Sequence, residues 1–237
     1  MTDANLPAPM PPSLVKPGVN RGRAKAASPV PLYHLEVVLN RVKPQVWRHL
    51  QVPGGANLGW LHAVLQVALG WTNSHLHQFR ADDQIITDPA FELEEFEGSP
   101  PILDERKVTL MQVVPREGDG VFYEYDFGDS WEHRVTAVKI LAPDAASAKA
   151  ALCLDGARAC PPEDCGGVHG YADLLKIIRN PRHKEHKNMF EWLGGPFDPE
   201  AFDLNKINTF LRKLHWPYVT EDQLAEVLMQ MDGGSRF

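Results

Sequence analysis

Residues 121–141 constrain the fold more than any other stretch of this chain. Val121-Phe122-Tyr123-Glu124-Tyr125-Asp126-Phe127 alternates, Gly128-Asp129 follows, and residues 130–141 alternate again. Two period-two runs about a Gly-Asp pair predict an antiparallel hairpin closed by a two-residue loop of type II′. With Phe127 opposite Ser130, Asp126 pairs with Trp131, Tyr125 with Glu132 and Glu124 with His133. Glu124, Asp126 and His133 then share one face. A carboxylate there can orient or charge the imidazole, either for general acid–base work or as a structural hydrogen bond. Asp129, Trp131 and Glu132 complete the hairpin's share of a candidate functional face.

The remaining segments supply more sheet and the helices to cover it. Residues 33–39 alternate well enough for a strand, and residues 46–52 form a second across the break at Pro44. Asn57 caps a helix over 58–69 that Gly70 stops. That helix is almost all core; His62 and Gln66, one turn apart, are its only polar stripe and read as a core edge or a ligand pair. In residues 74–80, period two places His75, His77 and Phe79 on one strand face, where the imidazoles either share a metal or make ordinary hydrogen bonds. Residues 82–105, acidic and broken by Pro89, Pro100 and Pro101, read as a solvated excursion. Helices follow over 171–179, 183–193, from Asp203 through Leu214, and from a Thr220/Gln223 capping box to Gly233. The expected class is α+β: a single domain with a mainly antiparallel sheet and packed helices over 31–216. A disordered Pro/Ala-rich basic tail (1–30) precedes it, and a C-terminal helical extension (217–237) follows.

A second candidate for chemistry is the loop Cys160-Pro161-Pro162-Glu163-Asp164-Cys165-Gly166-Gly167. Prolines fix φ and glycines permit positive φ, so this backbone is set to aim Cys160, Glu163, Asp164 and Cys165. Cys153, Cys160, Cys165 and His169 form a candidate tetrahedral zinc set, with intervals wider than those of zinc fingers; the bland alternative is reduced thiols on a stiff turn. Cys153 precedes what reads as a flexible Leu154-Asp155-Gly156 turn. Cys160 and Cys165 are expected close together and near the hairpin, bounding a pocket with Glu163 and Asp164. His75 and His77 are weaker metal candidates.

Charge narrows the partners. Lys16, Arg21, Arg23 and Lys25 against Asp3 give residues 1–30 a net +3, so the formal −7 of the whole leaves −10 on the body. An acidic body lacks the broad phosphate-neutralising surface of a nucleic-acid binder, and no apolar run spans a bilayer. Three cysteines are too few for a disulfide scaffold. A cytoplasmic protein is expected, acting on a small ligand or another protein.

Taken together, Tyr125-Asp126-Phe127-Gly128-Asp129-Ser130-Trp131-Glu132-His133, the Cys160 to Gly167 loop, Gly170-Tyr171, and Trp192-Leu193-Gly194-Gly195 with Phe197-Asp198-Pro199 carry a family resemblance. Over residues 32–215 the chain resembles the family named after an open reading frame of the Ri plasmid pRiA4b. The resemblance implies an α+β domain of bacterial and archaeal proteins, often near plasmid or insertion-sequence genes, with no activity attached. Three functions follow, the first preferred, the second its alternative and the third a second alternative. One is a binding domain with a groove between the hairpin and the Cys loop. Another is a metal-assisted hydrolase or nuclease drawing on His75, His77, Asp126, Asp129, His133 and the Cys loop. The third is a DNA-associated regulator of mobile elements.

Overall fold

The structure, a computed structural model, describes residues 30–94, 98–142, 149–231 and 233. The expected tail at 1–30 lies outside these apart from Val30. Eight strands form one sheet in the order β5-β4-β3-β6-β7-β1-β2-β8. They are β1 (Leu32–Leu39), β2 (Trp47–Pro53), β3 (His77–Ala81), β4 (Gln84–Thr87), β5 (Ile102–Asp104), β6 (Gly120–Tyr125), β7 (Trp131–Leu141) and β8 (Leu152–Ala157). Every pairing is antiparallel except β4 with β5. Among the described residues six α-helices complete the α+β fold: α1 (Leu58–Leu69), α2 (Leu110–Val113), α3 (Gly167–Arg179), α4 (His186–Trp192), α5 (Leu204–Leu211) and α6 (Glu221–Met231).

One face of the sheet is core and the other is solvated, as period-two alternation dictates. Leu35, Val37, Leu50, Val52, Phe79, Tyr123, Tyr125, Trp131 and Val135 are all fully buried. Against them lies α1, which begins where the Asn57 side chain accepts from Trp60 N (2.7 Å) and ends at left-handed Gly70. A helix apolar on all sides needs cover on all sides. The far side of α1 is covered by the C-terminal helices: Trp60 Nε1 donates to His215 O (3.0 Å), and Ile207, Leu211, Leu224, Val227 and Leu228 join the same core. Each large side chain buried in this way contributes about 1.5–3 kcal/mol.

The hairpin forms, but its register differs by one residue from the expectation. Tyr125 pairs with Trp131, Glu124 with Glu132 and Tyr123 with His133, so residues 126–130 make a five-residue loop. The cause is Asp126, which takes the left-handed conformation (φ 59°) and accepts from Gly128 N (2.9 Å) and Asp129 N (3.3 Å) through Oδ1. This Asx-type turn leaves the strand two residues before Gly128. A one-residue slip exchanges faces. Glu124 and Glu132 therefore lie on the solvated face, and His133 lies in the core.

Three further expectations change. The acidic excursion at 82–105 contains β4 and β5, and it buries Ile86 and Glu105. The supposed turn Leu154-Asp155-Gly156 is part of β8, with Cys153 buried against the core. β3 starts at His77, so His77 and Phe79 share the core face while His75 stands ahead of the strand. These strands are too short for their periodicity to show against prolines and acids.

Candidate functional site

Two polar assemblies sit within this frame. The deeper one links α1 to the sheet. Gln66 Nε2 donates to the Tyr123 hydroxyl (2.9 Å), which meets His62 Nδ1 (2.9 Å); His62 Nε2 meets Asn73 Oδ1 (2.8 Å). Because Asn73 Oδ1 only accepts, His62 carries its proton on Nε2 and takes the tyrosine proton's hydrogen bond on Nδ1. Asn73 N returns to Gln66 Oε1 (2.9 Å), so every group in the ring has a partner. The His77 ring stacks on His62 at 3.4 Å, and its Nε2 lies 2.8 Å from Glu105 Oε2. Burial pushes both imidazoles down to about 3 and the Glu105 carboxyl up to about 7. The His62/Gln66 pair is thus the satisfied core edge, not a ligand pair. Sequence reasoning missed Asn73 and Glu105, which only the tertiary fold brings to Tyr123.

The second assembly lies where the hairpin loop meets the Cys loop. Asp126 N donates to Leu76 O (2.9 Å), which seats the hairpin loop beside His75. Asp129 Oδ2 accepts from Gly166 N (3.1 Å), and Gly167 approaches so closely that a Cβ there would stand 2.6 Å from Asp129 O. His75 Nε2 consequently faces three carboxylates: Asp164 Oδ1 at 3.3 Å, Glu163 Oε2 at 3.5 Å and Asp126 Oδ2 at 3.8 Å. Nε2 is itself buried and makes no hydrogen bond. Glu163 is held by Thr72 N (2.8 Å), Thr72 Oγ1 (3.0 Å) and the Tyr125 hydroxyl, 3.2 Å from both carboxylate oxygens. Thr72 and Tyr125 carried no signal in the sequence for this role.

Beside this cluster opens a cleft of about 780 Å³ between the end of α1, residues 159–164 and the α4–α5 region. Trp71, Trp192, Phe197 and Phe202 supply apolar wall, and Arg48, Lys206, Glu163 and Asp164 supply charge. Its lining includes the Cys loop but no residue of the hairpin. Arg48 is 2% exposed, donates to the carbonyls of Ala68, Trp47, Ala157 and Arg158, and has Phe202 stacked on it.

The other sequence candidates are dispersed. Glu124 accepts from Gln78 Nε2 and Ser130 Oγ (both 2.8 Å); Glu132 takes Asn40 Nδ2 (2.9 Å) and the Arg80 guanidinium, all on the solvated face. Trp131 and His133 are fully buried, and burial lowers His133 to about 4. Among the described residues, His75, Asp126 and Asp164 are the group of three with metal-ligand spacing, and Cys153, Cys160, Cys165 and His169 do not assemble into one. His169 is exposed, whereas Cys153 and Cys160 are buried. Burial pushes the Cys153 and Cys160 thiols up to about 11 and Cys165 up to about 12, which keeps them protonated at neutral pH. His77 belongs to the inner network, so of the two weaker metal candidates only His75 joins the cluster.

Sheet topology, cleft and cluster define an α+β domain whose one-sided, mainly antiparallel sheet holds a histidine–carboxylate group at the rim of a cleft. The chain belongs to the family described as Plasmid pRiA4b ORF-3-like protein, which matches residues 31–206. It is 37% identical over 176 residues to the uncharacterized protein y4hQ of Sinorhizobium fredii (strain NBRC 101917 / NGR234), a match covering 73% of this chain and 87% of the relative. The crystal structure of MM3350, a protein of unknown function from Methanosarcina mazei Go1, superposes with a TM-score of 0.63 at 33% identity, over 74% of this chain and 96% of that one. Among the described residues no helix is long and apolar enough to cross a membrane.

Proposed function

We propose that residues 31–216 form a ligand-binding domain, with residues 217–237 as its helical extension, and that the cleft beside the Cys loop takes a small molecule or a short peptide. The carrying observation is the cleft itself: about 780 Å³, walled by Trp71, Trp192, Phe197 and Phe202, with a few charged groups at fixed places. Trp192 is 51% exposed, so its ring is open to contact with a bound molecule. Tryptophan emission gives a direct test: a panel of small organic ions and short peptides is titrated into the untagged protein. Binders should shift the emission and lose at least tenfold in affinity in Trp192→Ala or Lys206→Ala. A binder indifferent to both changes would place the ligand elsewhere.

A second reading, a metal-assisted hydrolase or nuclease, is favoured by one observation, the unpartnered His75 Nε2 facing three carboxylates at the rim of the same cleft. Hydrolysis of phosphoester or peptide model substrates, abolished by a chelator and restored by metal, is its test.

A further inference from the structure

We propose that His75, Asp126 and Asp164, assisted by Glu163, bind one divalent transition-metal cation. The inference names the cation that the hydrolytic reading needs, but it stands on donor geometry and holds whether or not the cleft is catalytic.

The argument starts from what the donors lack. A buried imidazole nitrogen normally has a hydrogen-bond partner, because leaving a desolvated polar atom unpaired is costly. His75 Nε2 has none, although three carboxylates surround it. Asp126 is nine-tenths buried, its side chain 8% exposed. Its Oδ1 is taken by two backbone N–H groups, whereas Oδ2 accepts no hydrogen bond among the described residues and faces His75. Glu163 is held by Thr72 and Tyr125. Ligands pinned by outer groups with a free atom turned toward a common point are the arrangement that metal sites use to fix donor orientation.

The spacing agrees. Two donors each ~2.1 Å from one cation stand about 3.0 Å apart at a right angle and about 3.4 Å apart at the tetrahedral angle. The three Nε2–oxygen separations are 3.3, 3.5 and 3.8 Å. Donor atoms of His75, Asp126 and Asp164 all lie within 4.8 Å of one another. Asp164, 71% exposed, can close the shell by a small rotation. Both aspartates occupy the left-handed region, Asp126 at φ 59° and Asp164 at φ 56°, so the two loops hold their carboxylates in uncommon backbone settings.

Donor chemistry selects the class of ion. One imidazole with carboxylates suits Mn²⁺, Fe²⁺ or Zn²⁺ better than Cu⁺, which prefers thiolate, or Ca²⁺, which prefers oxygen alone. The thiols of Cys160, which is buried, and Cys165, which is half-buried, are not needed as ligands.

The competing explanation is a protonated His75 that pairs with the same carboxylates without metal. Calorimetric titration of the untagged full chain with Mn²⁺ and with Zn²⁺ separates the two. The proposal expects one equivalent bound, broadening of the His75 ring resonances by Mn²⁺, and at least tenfold weaker binding in Asp164→Asn and in His75→Ala. Asp164 is exposed, so its variant folds and keeps the test valid even if His75→Ala does not. Absence of binding by both ions, or equal affinity in Asp164→Asn and the wild type, overturns the site.

Discussion

Changing Tyr123 to phenylalanine deletes one oxygen from a fully buried ring system and leaves packing against Phe79 and α1 intact. The hydroxyl is the shared partner of Gln66 Nε2 and His62 Nδ1, each at 2.9 Å. Gln66 is 0% and His62 3% exposed, so water cannot replace the lost partner without opening the core. Each of the two orphaned groups costs about 1–3 kcal/mol, and the variant no longer desolvates a hydroxyl, which offsets about 1 kcal/mol; the net loss should be about 1–5 kcal/mol. With an m-value of about 2 kcal/mol/M, the urea midpoint should fall by about 0.5–2.5 M with the slope unchanged. Gln66→Leu strikes the same network, so the double variant should cost less than the sum of the singles by at least ~0.5 kcal/mol. A midpoint shift under about 0.3 M, or strict additivity, would refute the closed network described here.

Stability should depend on pH in two opposed ways. His62 and His77, held neutral down to about 3, bind fewer protons folded than unfolded, so their contribution is complete above about pH 6.5 and is lost as pH falls below it. Glu105, raised to about 7, binds more protons when folded; its contribution is present below about pH 4.5 and lost as pH rises through 7. Thermal melts should therefore weaken from pH 6.5 to 4.5, and more steeply in Glu105→Gln; a flat profile over that window in both proteins contradicts the buried neutral imidazoles. Gly170→Ala should destabilise by about 1–3 kcal/mol, because its Cβ would collide with the Cys165 carbonyl where the Cys loop enters α3. Unchanged melting of that variant would mean the loop is looser than its contacts imply.

What the sequence disclosed followed from strong local signals. The Asn57 cap, the Gly70 stop and an all-apolar stretch between them located α1 without tertiary information, and alternation located β1, β2, β6 and β7. β4, β5 and β8 are hidden for a common reason: three to six residues of strand do not establish a period, and Pro89 and Pro100 beside the first two and Asp155 within the third read as loop. The candidate site is only partly legible in the sequence. Glu163, Asp164 and the shaping glycines stand out by composition, but the Cys3His set points to residues that do not gather into one metal-ligand group: Cys153 and Cys160 are buried, Cys165 is half-buried and His169 is exposed. His75 was chosen for its spacing from His77, yet its real neighbours come from residues 126 and 163–164, which no local pattern connects to it.

The misjudged hairpin register is also what creates the cluster. In the two-residue loop expected from Gly128-Asp129, Asp126 would continue the strand after core-facing Tyr125 and point to the solvated side. In the structure the chain leaves the ladder at Asp126, turns left-handed there, and closes onto Ser130, whose N–H donates to Asp126 O at 2.6 Å. The turn directs the Asp126 carboxylate back toward His75 and frees Asp129 to accept from Gly166. The five-residue loop thus accounts for two contacts at once, one to the histidine and one to the Cys loop that brings Glu163 and Asp164. A shorter, better-patterned hairpin would gain ladder hydrogen bonds and lose the arrangement that puts three carboxylates around the His75 imidazole.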